Sequence, residues 1–268
     1  MTAEWNTGSL DLDAYLRRIQ HPRVVASVEA LHSLHTAHVR AIPFENVDVI
    51  LGTHPGIEFD AVQAKLVDRQ RGGYCYEHAL LFAAVLEHLG FEVERRVARV
   101  QPHKSGPRTH MLLLVRVDGQ EFLADVGFGA GMLKPMPLKD GAVVNQAGWE
   151  HRLTVDNDVW TLSKKTPDGW IPLHASNQEP QRLIDFQVYH HYVSTNPNSP
   201  FSTKLVVMRL DEGVSRRLVG NELTTEYADG RTTRHAVHDD EVGAVLAELD
   251  VVLTGEELNR LRLVLDQR

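Results

Sequence analysis

A single cysteine, Cys75, stands among 268 residues. One thiol excludes an intrachain disulfide, a Cys-x-x-Cys redox pair and any zinc site built on several cysteines. Long apolar stretches are also missing. The longest uncharged run, near Ala79 to Leu86, falls far short of the roughly 18 residues that cross a bilayer. Residues Met1 to Asp13 are polar and acidic with no apolar segment, so a signal peptide is not expected. Positive charge is in deficit, with 28 Lys and Arg against 36 Asp and Glu, a net charge of −8. That balance argues against a general nucleic-acid binder, although a local basic patch can still hold an anionic ligand. No internal repeat, low-complexity tract or Gly/Ser linker interrupts the chain. What remains is ordinary: 43% hydrophobic and 24% charged residues, enough to bury a sizeable core. At about 150 residues per domain, two domains is the soft expectation. A protein of the cytoplasm, with no membrane and no nucleic-acid partner, is the starting point.

Hydrophobic period divides the chain into three zones. The first, up to about Phe91, is helical. Leu10, Leu12, Tyr15, Leu16 and Ile19 form one amphipathic helix ending before Pro22, and Val24, Val25, Val28, Leu31 and Leu34 form a second. A third is expected from Cys75 to His88, with Gly90 as its stop signal. The pattern then changes to short β-type runs, at Val97–Val100, Met111–Val117, Glu121–Val126, His151–Leu153 and Trp160–Leu162. Asp118-Gly119, Asp156-Asn157-Asp158 and Pro167-Asp168-Gly169 supply turns between them. A helix near Ile184–Tyr192, a strand near Lys204–Leu210, further strands and a helical region from about Asp239 to Asp266 complete the chain.

Cys75 lies in Arg71-Gly72-Gly73-Tyr74-Cys75-Tyr76-Glu77-His78, directly before a predicted helix. Two glycines relax the backbone for a tight turn, and the helix start offers free N–H groups and a positive dipole end. Both favour the thiolate a nucleophile needs. By position alone, a small buried hydrophobe is the commoner reading. A hairpin adds to the picture. Thr109–Val117 and Gln120–Val126 flank Asp118-Gly119, the strongest short-range hairpin signal. With a two-residue loop, Val117 faces Gln120, Leu112 faces Asp125 and His110 faces Gly127. His110 and Asp125 then share one sheet face as diagonal neighbours. A carboxylate among Met111, Leu113, Leu114, Leu123 and Val126 needs a partner, and an imidazole donating Nδ1–H supplies one. Such a pair serves either as a structural bond in a core or as the oriented base of a cysteine nucleophile. The hairpin does not by itself bring Cys75 to it.

Taken together, these residues resemble the arylamine N-acetyltransferases over most of the chain. The likeness rests on Ile42-Pro43-Phe44-Glu45-Asn46, the segment around Cys75, Thr109-His110, Asp125-Val126-Gly127-Phe128-Gly129, and Ser194-Thr195-Asn196-Pro197-Asn198-Ser199-Pro200-Phe201, all in the family's order. The resemblance implies an α+β fold with a cysteine-protease-like triad arrangement. Its parts are an N-terminal helical bundle carrying the nucleophile (1–92), a central β-barrel carrying His and Asp (93–195) and a C-terminal α/β lid (196–268). It implies Cys75, His110 and Asp125 as the catalytic triad. Phe44, Val100, Thr109, Phe128 and Phe201 would line an apolar acceptor slot, and Gly106, Pro107, Gly129, Tyr192 and Asn198 would lie near coenzyme A. Acetyl-CoA as acyl donor, no metal, and an arylamine or hydrazine acceptor follow from the same likeness. Alternatives are an amide synthase of the same family fed by a carrier protein, a transglutaminase-like or papain-like peptidase, and a silent binder. One departure is Ala79, where the family usually has asparagine.

Several other features invite blander readings. His32, His35 and His38 recur every third residue, which spreads them around a helix and reads as surface histidines. His190-His191 point apart. Gly127-Phe128-Gly129-Ala130-Gly131 has no following helix pattern and no Gly-Lys-Ser/Thr, so it reads as a site-lining loop rather than a phosphate loop. From Arg95 to Val117 no Asp or Glu occurs before Asp118, while Arg95, Arg96, Arg99, Lys104, Arg108 and Arg116 are cationic. This local excess would suit the phosphates of coenzyme A. The four tryptophans read as packing, and Glu45-Asn46 as a helix or turn boundary.

Overall fold

Polar caps open the first helices of the computed structural model, which describes residues 2–179 and 181–266. Met1, Gln267 and Arg268, the outer ends of the first and third expected regions, lie outside the described residues, as does Pro180. Asp11 accepts the Ala14 N–H at 2.8 Å to start α1 (Leu12–Arg18), and Ser27 accepts the Ala30 N–H at 3.1 Å to start α2 (Val28–Ala41). Val25, expected inside the second helix, precedes it and is 85% exposed. Short elements follow: β1 (Phe44–Glu45), α3 (Val47–Ile50), α4 (Phe59–Gln63) and a π-helical turn, Ala64–Asp68. Next comes α5 (Cys75–His88), with the expected limits. Gly90 takes φ 97°, and the Phe91 N–H returns to the Leu86 carbonyl at 3.0 Å, a glycine-dependent helix stop. From Cys75 to Leu86 every residue of α5 is buried. A helix apolar on nearly all sides belongs inside, and this one is the hub of the main core.

Eight antiparallel strands form the middle of the molecule: β2 (Glu92–Val100), β3 (Arg108–Val117), β4 (Gln120–Ala124), β5 (Met136–Pro137), β6 (Val143–Gln146), β7 (Trp149–Asp156), β8 (Val159–Thr166) and β9 (Gly169–Ser176). Their order is β5-β4-β3-β2-β9-β8-β7-β6. Alternation along β3 sends Met111, Leu113 and Val115 into the helical core. Leu112 points the other way, to meet Ala98, Leu123, Leu153 and Leu162. These inner residues come from both halves of the sheet, so it curls on itself into a nearly closed barrel. Gln146 on the β6 edge reaches the chain leading into β5. Its Oε1 accepts the Leu133 and Lys134 N–H groups at 2.9 and 2.7 Å, and its Nε2 donates to the Lys134 carbonyl at 2.9 Å.

After α6 (Leu183–Thr195) and α7 (Pro200–Thr203) comes a second sheet of β10 (Val206–Asp211), β11 (Val214–Val219), β12 (Glu222–Tyr227) and β13 (Thr232–Ala236), with β1 on its β10 edge. Val207 and Leu218 pack against Val245, Leu246 and Leu261 of α8 (Val242–Glu248) and α9 (Gly255–Leu265). Asp250, at φ 60°, divides the two helices, and Thr254 with Glu257 opens the second in a capping box. Among the described residues no helix is long and apolar enough to cross a membrane.

The hairpin follows the expected register. Val117 pairs with Gln120, Val115 with Phe122 and Leu113 with Ala124, and Asp118 and Gly119 take φ of 51° and 70°, both left-handed as a two-residue turn of this kind requires. The ladder stops at Ala124, so Asp125 stands one residue beyond it.

Candidate active site

Cys75 is the first residue of α5, and three segments close around it. Neither Gly72 nor Gly73 has positive φ, so the tight-turn explanation is replaced by close approach. A Cβ on Gly72 would collide with the Pro43 carbonyl, and one on Gly73 would sit 2.6 Å from Glu77 Oε2. The Glu45 N–H bonds the Gly73 carbonyl at 2.7 Å and the Gly73 N–H bonds that of Pro43 at 3.2 Å, so β1 braces the segment before the cysteine. The third segment is Asp125-Val126-Gly127. A Cβ on Gly127 would lie 2.8 Å from Cys75 Cα and 2.9 Å from its carbonyl oxygen. Only glycine lets the chain beyond β4 approach Cys75 this closely, and this contact brings together two motifs that the hairpin alone left apart.

His110 Nε2 bonds Asp125 Oδ2 at 2.6 Å, with both side chains buried. The shared face is as expected, but the ring nitrogen is Nε2 rather than Nδ1. Nδ1 is thereby free of Asp125, and Cys75 is a near enough neighbour to help hold a proton on the ring. Burial opposes a charge on His110, yet Asp125 and then Cys75 outweigh it and carry the imidazole up to about 10. Burial also disfavours the Asp125 carboxylate, but His110 first, then His174, hold it well below the usual range.

The Asp125 backbone is fixed by a residue the sequence reading placed on the surface. The Asp125 N–H donates to His35 Nε2 at 3.2 Å, and His35 Nδ1 donates to the Leu133 carbonyl at 3.0 Å. Burial lowers His35 to about 4 and keeps it neutral. His38 is buried as well. Tyr15 O–H donates to His38 Nδ1 at 2.9 Å, His38 Nε2 donates to His78 Nδ1 at 2.9 Å, and His78 Nε2 donates to the Gly73 carbonyl at 3.0 Å. The carbonyl at the far end fixes every tautomer in this chain. His35 and His38 are therefore internal, because α2 is covered both by the helical core and by the loop carrying Leu133. Only His32 is half-buried. Ala79 is buried in the main core among apolar side chains.

Charge beneath the site is arranged in buried pairs. Arg71 meets Glu45 at 3.0 Å, Glu257 at 3.1 Å and Asp48 at 3.4 Å, and Lys65 meets Glu77 at 2.9 Å and Asp48 at 3.4 Å. Glu77 also accepts the Tyr74 N–H at 3.0 Å, fixing the turn into α5. Burial would raise Glu77, but Lys65 and then His54 hold it far below its ordinary value. Asn46 is more than a boundary. Its Nδ2 donates to the Phe201 and Lys204 carbonyls at 2.7 and 2.8 Å, and its Oδ1 accepts the Val206 N–H at 2.7 Å, tying the C-terminal segment to the helical region.

Of the expected slot residues, Phe44 and Phe201 lie 5.9 Å apart by ring centroids, Phe44 stacks on His78 and Phe201 meets Tyr74. Phe128 packs on His110 at 5.1 Å. The Thr109 carbonyl accepts from the Tyr76 hydroxyl, tethering β3 to α5. Val100, 40% exposed, ends β2 opposite His174. Gly129, at φ 63°, lies against Met208, the strand partner of Phe44. Gly106 accepts from Arg99 in the β2–β3 loop beside Pro107, Tyr192 lies on α6, and Asn198 is exposed beyond it. No hydrogen bond among the described residues joins Gly106, Pro107, Tyr192 or Asn198 to His110 or Cys75. The cationic stretch is largely neutralised: Arg95 is paired with Glu87, Arg96 with Glu94, Arg108 with Glu179, and Arg116 with Glu92, Glu94 and Glu121. His190 is not a bystander, since its Nδ1 bonds Tyr74 O–H at 2.5 Å. One residue escaped the sequence reading altogether. His174 on β9 places Nε2 3.4 Å from Asp125 Oδ2 and packs edge-on to Phe128. With His110 and Asp125 it gathers three metal-ligating atoms within 4.8 Å of one another.

Comparison with known proteins gives one consistent result. Residues 27–256 match the N-acetyltransferase family. The arylamine N-acetyltransferase of Mycolicibacterium smegmatis is 41% identical over 227 residues, covering 80% of this chain and 82% of that protein. The arylamine N-acetyltransferase / N-hydroxyarylamine O-acetyltransferase of Salmonella typhimurium is 34% identical over 231 residues, covering 84% and 81%. Among solved structures, the Nocardia farcinica arylamine N-acetyltransferase superposes with a TM-score of 0.90 at 39% identity, over 97% of this chain and 95% of that one. The Mycobacterium marinum enzyme in complex with CoA gives 0.89 at 31% identity, over 96% and 99%.

Proposed function

This chain belongs to the arylamine N-acetyltransferase family and is thus an acyltransferase, and on that premise we propose that it moves an acetyl group from acetyl-CoA to an arylamine or arylhydrazine through a thioester on Cys75. The observation that carries this reading is the junction at Gly127, where the segment that carries Asp125, the partner of His110, lies against the Cys75 backbone. The relative from Mycobacterium marinum, solved with CoA, supports CoA as the acyl carrier.

The chemistry follows from the ring geometry. Asp125 holds His110 through Nε2, so Nδ1 is the nitrogen that takes the thiol proton as the sulfur attacks. The thiolate attacks the acetyl carbonyl, the C–S bond to CoA breaks, and Nδ1–H returns its proton to the departing CoA sulfur. The amine then attacks the Cys75 thioester. Nδ1 accepts a proton from the amine nitrogen and gives it to the cysteine sulfur as the amide forms. The first-turn N–H groups of α5, which have no helical partner, lie beside the carbon under attack. Phe44, Phe128, Phe201, Val100 and Thr109 form the acceptor slot in this reading. Gly106, Pro107, Gly129, Tyr192 and Asn198 lie along the CoA path.

Initial rates with acetyl-CoA and an aniline-type acceptor test the reading. A substituted-enzyme mechanism gives parallel lines in double-reciprocal plots as the second substrate is varied. Intersecting lines, or no acetylation, would contradict it.

A further inference from the structure

Around the Asp125 carboxylate, three buried polar atoms have no hydrogen-bond partner: Asp125 Oδ1 and both ring nitrogens of His174. His174 is fully buried. Its Nε2 stands 3.4 Å from Asp125 Oδ2, the oxygen that also meets His110 Nε2 at 2.6 Å. Buried polar atoms left unpaired are costly, and a cluster of them marks a place for a water or an ion. The donors favour the ion. Two imidazoles and a carboxylate are a zinc-type set. Two ligands each about 2.1 Å from a tetrahedral ion stand roughly 3.4 Å apart, the separation seen between His174 and Asp125. His174 has no other polar contact to satisfy it.

We propose that His110, Asp125 and His174 form an inhibitory binding site for Zn²⁺ or a similar borderline divalent cation. The ion enters between His110 and Asp125, whose 2.6 Å contact opens to about 3.4 Å to admit it, takes the place of the proton on His110 Nε2 and releases that proton to solvent. A fourth position stays open to water. Cys75 is not a ligand, because its sulfur is not among the ligating atoms gathered within 4.8 Å of one another. A neutral imidazole ligated through Nε2 keeps its proton on Nδ1, so His110 no longer accepts a proton from the thiol or the amine. Binding weakens as pH falls, since the imidazole must lose a proton to bind. The inhibitory part rests on the thioester reading, whereas the binding part does not.

The test is a competition titration of Zn²⁺ against a chromophoric chelator, using the full chain after metal stripping. Wild type and Cys75→Ala are expected to bind one equivalent with equal affinity, and His174→Phe to bind about 100-fold or more weakly. Acetyl transfer by wild type should fall with the same midpoint as binding and return on adding EDTA. His174→Phe, measured against its own metal-free rate, should resist that concentration. Co²⁺ bound to wild type gives a reading independent of the variants: visible bands of a nitrogen and oxygen set, without thiolate-to-cobalt charge transfer. The proposal is overturned if wild type binds no ion, if Cys75→Ala abolishes binding, if a thiolate band appears, or if His174→Phe binds and is inhibited like wild type. Undiminished acetyl transfer by Cys75→Ala, with binding intact, would sink the thioester reading and leave the ion site standing.

Discussion

Asp125 is held at three points: Oδ2 by His110, the backbone N–H by His35, and the chain beyond it by the close contact of Gly127 with Cys75. Such redundancy keeps one ring orientation and one tautomer. Replacing Asp125 with asparagine preserves shape but permits the wrong tautomer of His110, and by analogy with serine triads kcat should fall on the order of 10³–10⁴-fold with the fold retained. Cys75→Ser should remove nearly all turnover, since the alcohol is a far poorer nucleophile beside the same imidazole. Circular dichroism and steady-state kinetics on both variants check this, and wild-type turnover in either contradicts it. At this scale the sequence was readable where the signal is local. Asp118-Gly119 sets the register, and period two then places His110 and Asp125 on one face. It was unreadable where burial comes from elsewhere. Nothing in the spacing of His35 and His38 shows that α2 is covered on two sides. His174 was hidden because Pro172 interrupts its strand pattern. The structure accommodates that proline at a register shift, with Leu162 opposite His174 and Ser163 opposite Pro172.

Elements meet at this site through glycine. α5 approaches β1 and the end of β4 at distances that no side chain tolerates, which local turn chemistry does not reveal. Gly127→Ala would force the Cys75 backbone and the Asp125 segment apart. A destabilisation of about 1–3 kcal/mol is expected from overpacking, with a loss of roughly 100-fold in kcat from a displacement near 1 Å. Urea unfolding and kinetics together measure both. A variant with native stability and native turnover would show that the close approach is unimportant. Helix limits at Cys75 and Leu89-Gly90 were legible because caps and stops are local. The strand of Gly169–Ser176 and the early start of β2 at Glu92 were not, because their polar residues are satisfied by partners on other elements, such as Glu87 of α5 for Arg95. The side-chain closure of the barrel by Gln146 has no sequence signature.

The whole molecule carries its titratable groups in opposed sets. Burial lowers His35, His78, His151 and His190 to about 4 each. A group depressed on folding contributes stability above its unfolded value near 6.5 and loses it as pH falls toward 4. His110 runs the other way. Raised to about 10, its contribution is complete below pH 6.5 and is lost as pH rises through 10. Thermal stability should therefore peak near neutral pH and decline on both sides. His110→Gln should lower the Tm and flatten the alkaline limb. Melting curves from pH 4 to 10 test this, and an unchanged alkaline limb in the variant would deny His110 its charged state.

One measurement bears most directly on the account: the intact mass of the protein after brief exposure to acetyl-CoA without acceptor, followed by peptide mapping. A single added acetyl group on Cys75, absent from Cys75→Ala and discharged when an arylamine is supplied, is the predicted result. An unmodified protein that still acetylates the amine, or an acetyl group on another residue that discharges in its place, would contradict it.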